Sequence, residues 1–330
     1  MSKNDRFTAW RTAAGIALVL AGVALSLARA ADAWPTRNIR LIVPYAVGGG
    51  SDILARTLGA GLSQAWGQSV VVDNKTGASG NIGTQEVVRA SGDGYTLLMQ
   101  NTSMLTYLGV MGKLPYDPEH DLTPIMLVGL TPIALVANPD ANVSNLKELV
   151  AAAKARPDAF NYGSCGIGTP QHFVMELLKQ KTGMTIQHAG YKGCAPAVTD
   201  VLGNQVSLAI VSANLVAPYA KTGKLKVIGV TGSKRYSLLP DSPTFEEQGI
   251  KPFDYSIWYA LMGPANLPAP VVQKISADVT KILADPTVAA NLTNAGVEAY
   301  QGSATDLAKL IKADAERYPQ IAKSAGIKSE

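Results

Sequence analysis

Short apolar runs that alternate with helix-patterned stretches constrain the fold of this chain more than any other feature. The runs Ile39–Val43, Ser69–Asp73, Thr96–Met99, Ile125–Ala137, Phe160–Tyr162, Val206–Val211, Lys226–Thr231 and Ser256–Met262 read as strands. Between them, Asp52–Trp66, Ile82–Arg89, Asn145–Ala155, Gln171–Lys181, Ala195–Leu202 and Val216–Lys221 read as helices. Such β-α-β succession predicts an α/β fold with parallel sheets and helices on both faces. In sheets of this kind, ligands sit beyond the carboxyl ends of the strands. The C-terminal portion departs from the alternation, and Pro268–Leu283, Asp285–Asn294 and Ala304–Ser324 predict three helices. Leu307, Leu310, Ile311, Ala315 and Tyr318 give the last one an apolar stripe, which predicts docking on the core.

Ahead of the first strand, Lys3, Arg6 and Arg11 precede the uncharged run Thr12–Leu27, and small residues follow at Ala28 to Ala30 and Ala31 to Ala33. This order predicts a secretory signal peptide over residues 1–33, cleaved to leave Trp34 as the mature N-terminus. The run is shorter than the ~20 residues a membrane span needs. An exported chain is expected, long enough for one large domain or two lobes. With 29 Lys and Arg against 25 Asp and Glu, the net charge is +4 and no basic run stands out, which argues against a nucleic-acid partner. The two cysteines, Cys165 and Cys194, form an even count that permits a disulfide in an oxidising compartment; two small thiols are the alternative, and both stay open.

Several predicted strands end in runs of glycine and small hydroxyl residues. They include PYAVGGGSD at 44–52, NKTGASGNIG at 74–83, QNTS at 100–103, NYGSCGIGTP at 161–170 and GYKGCAP at 190–196. Glycine allows a close backbone approach and Ser or Thr supplies a neutral donor, so such loops suit a carboxylate without any arginine. Any single loop of this composition is also ordinary turn chemistry. No lysine follows a glycine run in P-loop register, and Gly163–Gly168 lacks the G-x-G-x-x-G order, so a nucleotide phosphate is excluded. No nucleophile elbow, H-E-x-x-H or C-x-x-C is present, and His120, His172 and His188 are too scattered for a metal site. The expectation is therefore no cofactor, no metal and no catalytic residue, with an exported hydrolase of novel arrangement as the alternative.

Taken together, the stretches WPTRNIRLIVPYAVGGGSDILAR, VVVDNKTGASGNIGTQEVVRASGDGYTLLM, KLPYDPEHDLTPI, YKGCAPAVTDVLGNQV and TGKLKVIGVTGSKRYSLLPDSPTFEEQGI resemble one family. It is that of the periplasmic substrate-binding receptors of tripartite tricarboxylate transporters, also called Bug-type receptors, and the likeness spans Trp34–Glu330. The resemblance implies a two-lobed flytrap in the periplasm that delivers a small organic carboxylate to membrane permease subunits. Lobe 1 would hold 34–136 plus 257–330, and lobe 2 would hold 137–256. The first glycine loop would offer Tyr45, Val47, Gly48, Gly49, Ser51 and Asp52, and the second Ala78, Ser79, Gly80 and Asn81. Thr102, Ser103, Met104 and Trp258 would complete that side. Ser164, Cys165, Thr169, His172, Tyr191, Lys192 and Ser212 would close from the other lobe. A monomer is expected, and a receptor that signals to a sensor partner remains an alternative.

Departures from the family pattern bear on the ligand. Val47-Gly48-Gly49 stands where members often read P-G-G, and Val211-Ser212 stands where many carry Asp-Asn. Without that Asp, an ammonium group would be costly to desolvate, which disfavours a free amino acid. Tyr45, Met104 and Trp258 would line an apolar slot, favouring an aromatic dicarboxylate such as terephthalate. An aliphatic di- or tricarboxylate of the succinate or citrate type is the other reading.

Overall fold

Described over residues 34–328, the computed structural model leaves the signal-peptide expectation outside its range. The strands are β1 (Ile39–Val43), β2 (Val70–Asn74), β3 (Thr96–Asn101), β4 (Leu122–Thr131), β5 (Ile133–Ala137), β6 (Asn161–Ser164), β7 (Gln187–Gly190), β8 (Leu208–Ser212), β9 (Lys226–Val230), β10 (Ile257–Pro264) and β11 (Glu298–Gly302). They form two sheets, ordered β11-β4-β10-β3-β1-β2 and β7-β6-β8-β5-β9. Within each sheet a parallel core, β3-β1-β2 or β7-β6-β8, is extended by antiparallel strands. The helices are α1 (Gly50–Trp66), α2 (Asn81–Val88), α3 (Ser103–Met111), α4 (Leu146–Ala155), α5 (Pro170–Thr182), α6 (Cys194–Leu202), α7 (Ala213–Lys221), α8 (Ala269–Leu283), α9 (Pro286–Asn294) and α10 (Ala304–Ala325).

Both faces of each sheet are covered, which is why the central strands read as unbroken apolar runs. Side chains of a strand alternate between faces. In β10, Ile257, Tyr259 and Leu261 join one core cluster while Trp258, Ala260 and Met262 join another. In β5, Ile133, Leu135 and Ala137 face the first of these clusters, and Ala134 and Val136 face a third. The stripe on α10 docks as its spacing predicts: Leu307, Ile311 and Tyr318 are buried, with Leu310 and Ala315 packed beside them.

Ile125–Ala137, read from sequence as one strand, is two. Pro132 has no N–H to give a ladder, so β4 ends at Thr131 and β5 begins at Ile133 in the other sheet. The chain thus crosses between the sheets at Pro132, and Ile133–Val136, assigned by the sequence reading to lobe 1, pair in the second sheet. It returns between Val230 and Ile257. The two crossings are tied side by side: the Ile133 N–H donates to Thr231 Oγ1 at 2.9 Å, and the Thr231 N–H donates to the Ile133 carbonyl at 2.8 Å.

Two edge strands and one helix escaped the sequence reading. β7 and β11, with the sequences QHAG and EAYQG, lie at sheet edges with largely unburied side chains, so they carry no apolar signal. α3 falls in the segment read as a slot wall. It packs on α10 as an apolar helix with Met104 and Leu105 inside.

Candidate functional site

The first glycine loop is held open by a single carboxylate. Asp52, 2 % exposed, accepts the Gly48 N–H at 2.9 Å, Arg56 Nε at 3.0 Å and Asn74 Nδ2 at 3.0 Å. Burial pushes its pKa up, but the Arg56 guanidinium, the Gly48 N–H and the Asn74 amide together outweigh that and hold it below the usual carboxylate range. Its oxygens are therefore spent on the loop, and Asp52 positions the site instead of facing a ligand. Gly50, Ser51 and Asp52 open α1, whose N-cap, Gly49, offers no side-chain acceptor. Their N–H groups belong to the first turn, which has no intrahelical acceptors.

A buried polar chain fastens the neighbouring loops. The Tyr45 phenol and the Asn101 N–H both donate to Gln100 Oε1, Gln100 Nε2 donates to Thr84 Oγ1 at 2.8 Å, and Thr84 Oγ1 donates to the Gly80 carbonyl at 2.8 Å. Asn81 is occupied by Ala78 O and the Tyr116 hydroxyl. Ser51 Oγ accepts from Asn101 Nδ2 at 3.0 Å, and Ser103 gives its N–H to Asn101 Oδ1. Ala78 and Ser79 are exposed with φ of 47° and 53°, a left-handed strain that β-carbon residues rarely carry outside functional loops. Val47, 70 % exposed, forms the tip of the first loop.

The expected apolar slot does not form. Met104 and Trp258 are 1 % and 2 % exposed and belong to the core beneath α10. Trp258 gives its indole N–H to Asp314 Oδ2 at 2.9 Å, and its backbone N–H goes to the buried Thr102 hydroxyl. Burial of large side chains between sheet and helix won over exposure in the cleft. Tyr45 is half-buried, with its ring against Gly80.

In the second sheet, Cys165 and Cys194 are bridged, joining the loop after β6 to the start of α6. Beside the bridge, the rings of His172 and His188 stack with centroids 3.9 Å apart, and Tyr162 stacks on His188 at 4.8 Å. His172 Nδ1 accepts the Gly168 N–H at 3.2 Å, and His188 Nε2 meets Ser164 Oγ at 2.7 Å. Burial, with His188 and Lys179 nearby, pushes the His172 pKa down to about 3, so it hangs the loop as a neutral ring. Thr169 caps α5, and Tyr191 donates to Asp200. Lys192 is exposed on the following turn. Gln171 links three elements by offering Nε2 to Ser212 Oγ at 3.2 Å and to Cys194 Sγ at 3.7 Å.

One cavity of about 200 Å³ lies between the lobes. Gly48, Gly49, Gly50 and Ile53 line it from one side, and Ser212, Asn214 and Leu215 from the other. Thr131, Tyr259 and Ala295–Val297 close the remaining side. No lysine or arginine is among these lining residues. Larger hollows exist, one of about 550 Å³ by Pro132 and Arg317 that Gly232 and Lys234 also line, one of about 410 Å³ along α2 from Ile82 to Arg89 and one of about 400 Å³ by Asp140 and Asn204, but none is lined by the first glycine loop or by the starts of α1 and α7. α4, α5, α9 and α10 are capped by Asn145, Thr169, Asp285 and Ser303, whereas α1, α2, α3, α6, α7 and α8 have no side-chain cap. α1 and α7 both start at the cavity, one from each lobe. The Ala213 N–H is taken by the Pro132 carbonyl, and the remaining first-turn N–H groups with the positive end of each helix dipole make both starts receptive to an anion.

Of the residues named from sequence, Gly48, Gly49 and Ser212 line this cavity. Thr131, Asn214, Leu215, Tyr259 and Gly296 were missed, since they come from a crossing, a helix start, a core strand and a C-terminal turn that share no motif. The small polar run Ser212-Ala213-Asn214 directly after an apolar strand was the one available signal.

Residues 54–327 match the model of the tripartite tricarboxylate transporter family receptor. Protein BugT of Bordetella pertussis is 32% identical over 95% of this chain and 96% of its own. The solved structure of Rpa4515 of R. palustris with adipate is 32% identical, with a TM-score of 0.76 over 90% of this chain and 100% of that one. MatC from Rhodopseudomonas palustris with bound malate is 27% identical, with a TM-score of 0.72 over 87% of this chain and 99% of that one.

Proposed function

Because the chain belongs to the tripartite tricarboxylate transporter receptor family, whose members are periplasmic solute-binding receptors, we propose that it captures a small aliphatic dicarboxylate between its lobes and presents it to a membrane permease. The observation that carries this reading is the pair of uncapped helix starts, α1 and α7, opening on one cavity from opposite lobes. A carboxylate at each start would be met by backbone N–H groups and a helix dipole, with no cationic side chain required. A ligand touching both lobes favours the closed arrangement by its differential affinity for it, so capture needs no chemistry. The relatives solved with adipate and malate are consistent with this ligand class.

The burial of Met104 and Trp258 removes the basis for an aromatic slot at those residues. A second reading survives on a different observation: Ile53, Leu215, Val297 and Tyr259 are among the residues that line the cavity, and their apolar surface would suit a flat ring such as terephthalate.

Isothermal titration of ligand-free protein with succinate, malate, adipate, citrate and terephthalate tests both. The proposal expects an aliphatic dicarboxylate to bind at least roughly tenfold, or 1.4 kcal/mol, more tightly than terephthalate. Terephthalate as the tightest ligand would move the assignment to the second reading, and no binding by any acid would sink both.

A further inference from the structure

Gly296 sits in the turn after α9 in the first lobe, with φ +89°, and Asn214 is the second residue of α7 in the second lobe. Both line the cavity. A methyl group built on Gly296 would lie 2.3 Å from Cβ, Cγ and Nδ2 of Asn214, nearer than non-bonded atoms approach. The lobes therefore meet here with a side chain pressed on bare backbone. Each partner is anchored to the same crossing. Thr131 Oγ1 donates to the Gly296 carbonyl at 2.9 Å, and the Ala213 N–H donates to the Pro132 carbonyl at 2.9 Å. Neither side of the contact is a free loop that could yield.

Resting on the receptor reading above, we propose that Asn214 and Gly296 form the stop that limits lobe closure. The stop sets the gap between the starts of α1 and α7, and with it the length of dicarboxylate the cleft accepts. Neither residue has to touch the ligand for this; they act as positioning residues. Glycine is required at 296 because any side chain there would wedge the lobes apart.

Four proteins test it: wild type, Gly296→Ala, Asn214→Gly and the double variant. Gly296→Ala adds both a methyl group and backbone strain at positive φ. The double variant keeps that strain but removes the Asn214 side chain, Cβ included, so the collision disappears. Titration with succinate, malate and adipate should show Gly296→Ala losing at least tenfold in affinity for the two shorter acids and less for adipate. Small-angle scattering should give it a larger radius of gyration, and the double variant should recover both readings. Wild-type behaviour of Gly296→Ala, or a loss the double variant does not recover, would overturn the stop. If wild type bound none of the acids, the receptor reading would fail on its own; equal radii for Gly296→Ala and the double variant would then still overturn the stop.

Discussion

The N–H of Gly48 ends on the carboxylate of Asp52, 2.9 Å away and four residues on, so the glycine loop is shaped from inside by the helix it precedes. The same carboxylate carries Arg56 and Asn74. Replacing it by alanine removes the acceptor shared by the exposed Gly48 N–H and Arg56 and the half-buried Asn74 amide, at a cost of about 0.5–1.5 kcal/mol because water can reach those donors. Asp52→Ala should therefore lower the melting temperature and weaken ligand binding together, by thermal unfolding and titration respectively. Because the folded pKa of Asp52 is depressed, its stabilising contribution is present above the ordinary carboxylate pKa and is lost as pH falls below it. Asp52→Asn should accordingly flatten the acid side of the stability curve.

His172 titrates at about 3 in the folded protein against 6.5 for an ordinary histidine. A base with a depressed folded pKa takes up protons preferentially when unfolded, so its contribution is present above about 6.5 and declines as pH falls toward 3. Calorimetric scans from pH 7 to pH 4 should show the melting temperature falling more steeply for wild type than for His172→Gln, which keeps an acceptor for the Gly168 N–H. Parallel curves would mean that other groups carry the acid sensitivity.

The Cys165–Cys194 bridge spans 29 residues of sequence. A loop of that size is worth roughly 3–4 kcal/mol in the chain-entropy model. The Cys165→Ala/Cys194→Ala variant should melt roughly 5–15 °C lower, and the reduced wild-type protein should match it. It should also bind ligand more weakly, because the bridge holds the start of α6 and contacts the Gln171 amide that reaches Ser212.

Met104 separates core from cleft. At 1 % exposure under α10, Met104→Ala should cost about 2–5 kcal/mol in denaturant unfolding. Ligand affinity of the folded protein should stay within about twofold of wild type, roughly 0.4 kcal/mol. A tenfold loss of affinity for terephthalate alone would put Met104 back at the ligand.

Periodicity alone determined the alternation of strands and helices, the apolar stripe of α10 and the glycine loops at the strand ends, because these depend on residues near one another in the chain. It could not reveal β7 and β11, whose edge positions need no apolar pattern, nor the true crossing point, where Pro132 ends one sheet's ladder just before the next sheet begins. Tertiary structure decided which polar residues of the loops are free. Asp52, Asn81, Thr102 and His172 look like ligand contacts in sequence, yet each is consumed by partners from other loops or from its own helix start. The same holds for Met104 and Trp258, whose large apolar surfaces are buried between sheet and helix. What remains at the cavity is two helix starts beside a few apolar side chains, and Gly50 shares its lining with Ser212 and Asn214 because two adjacent crossings, tied through Ile133 and Thr231, bring the lobes together.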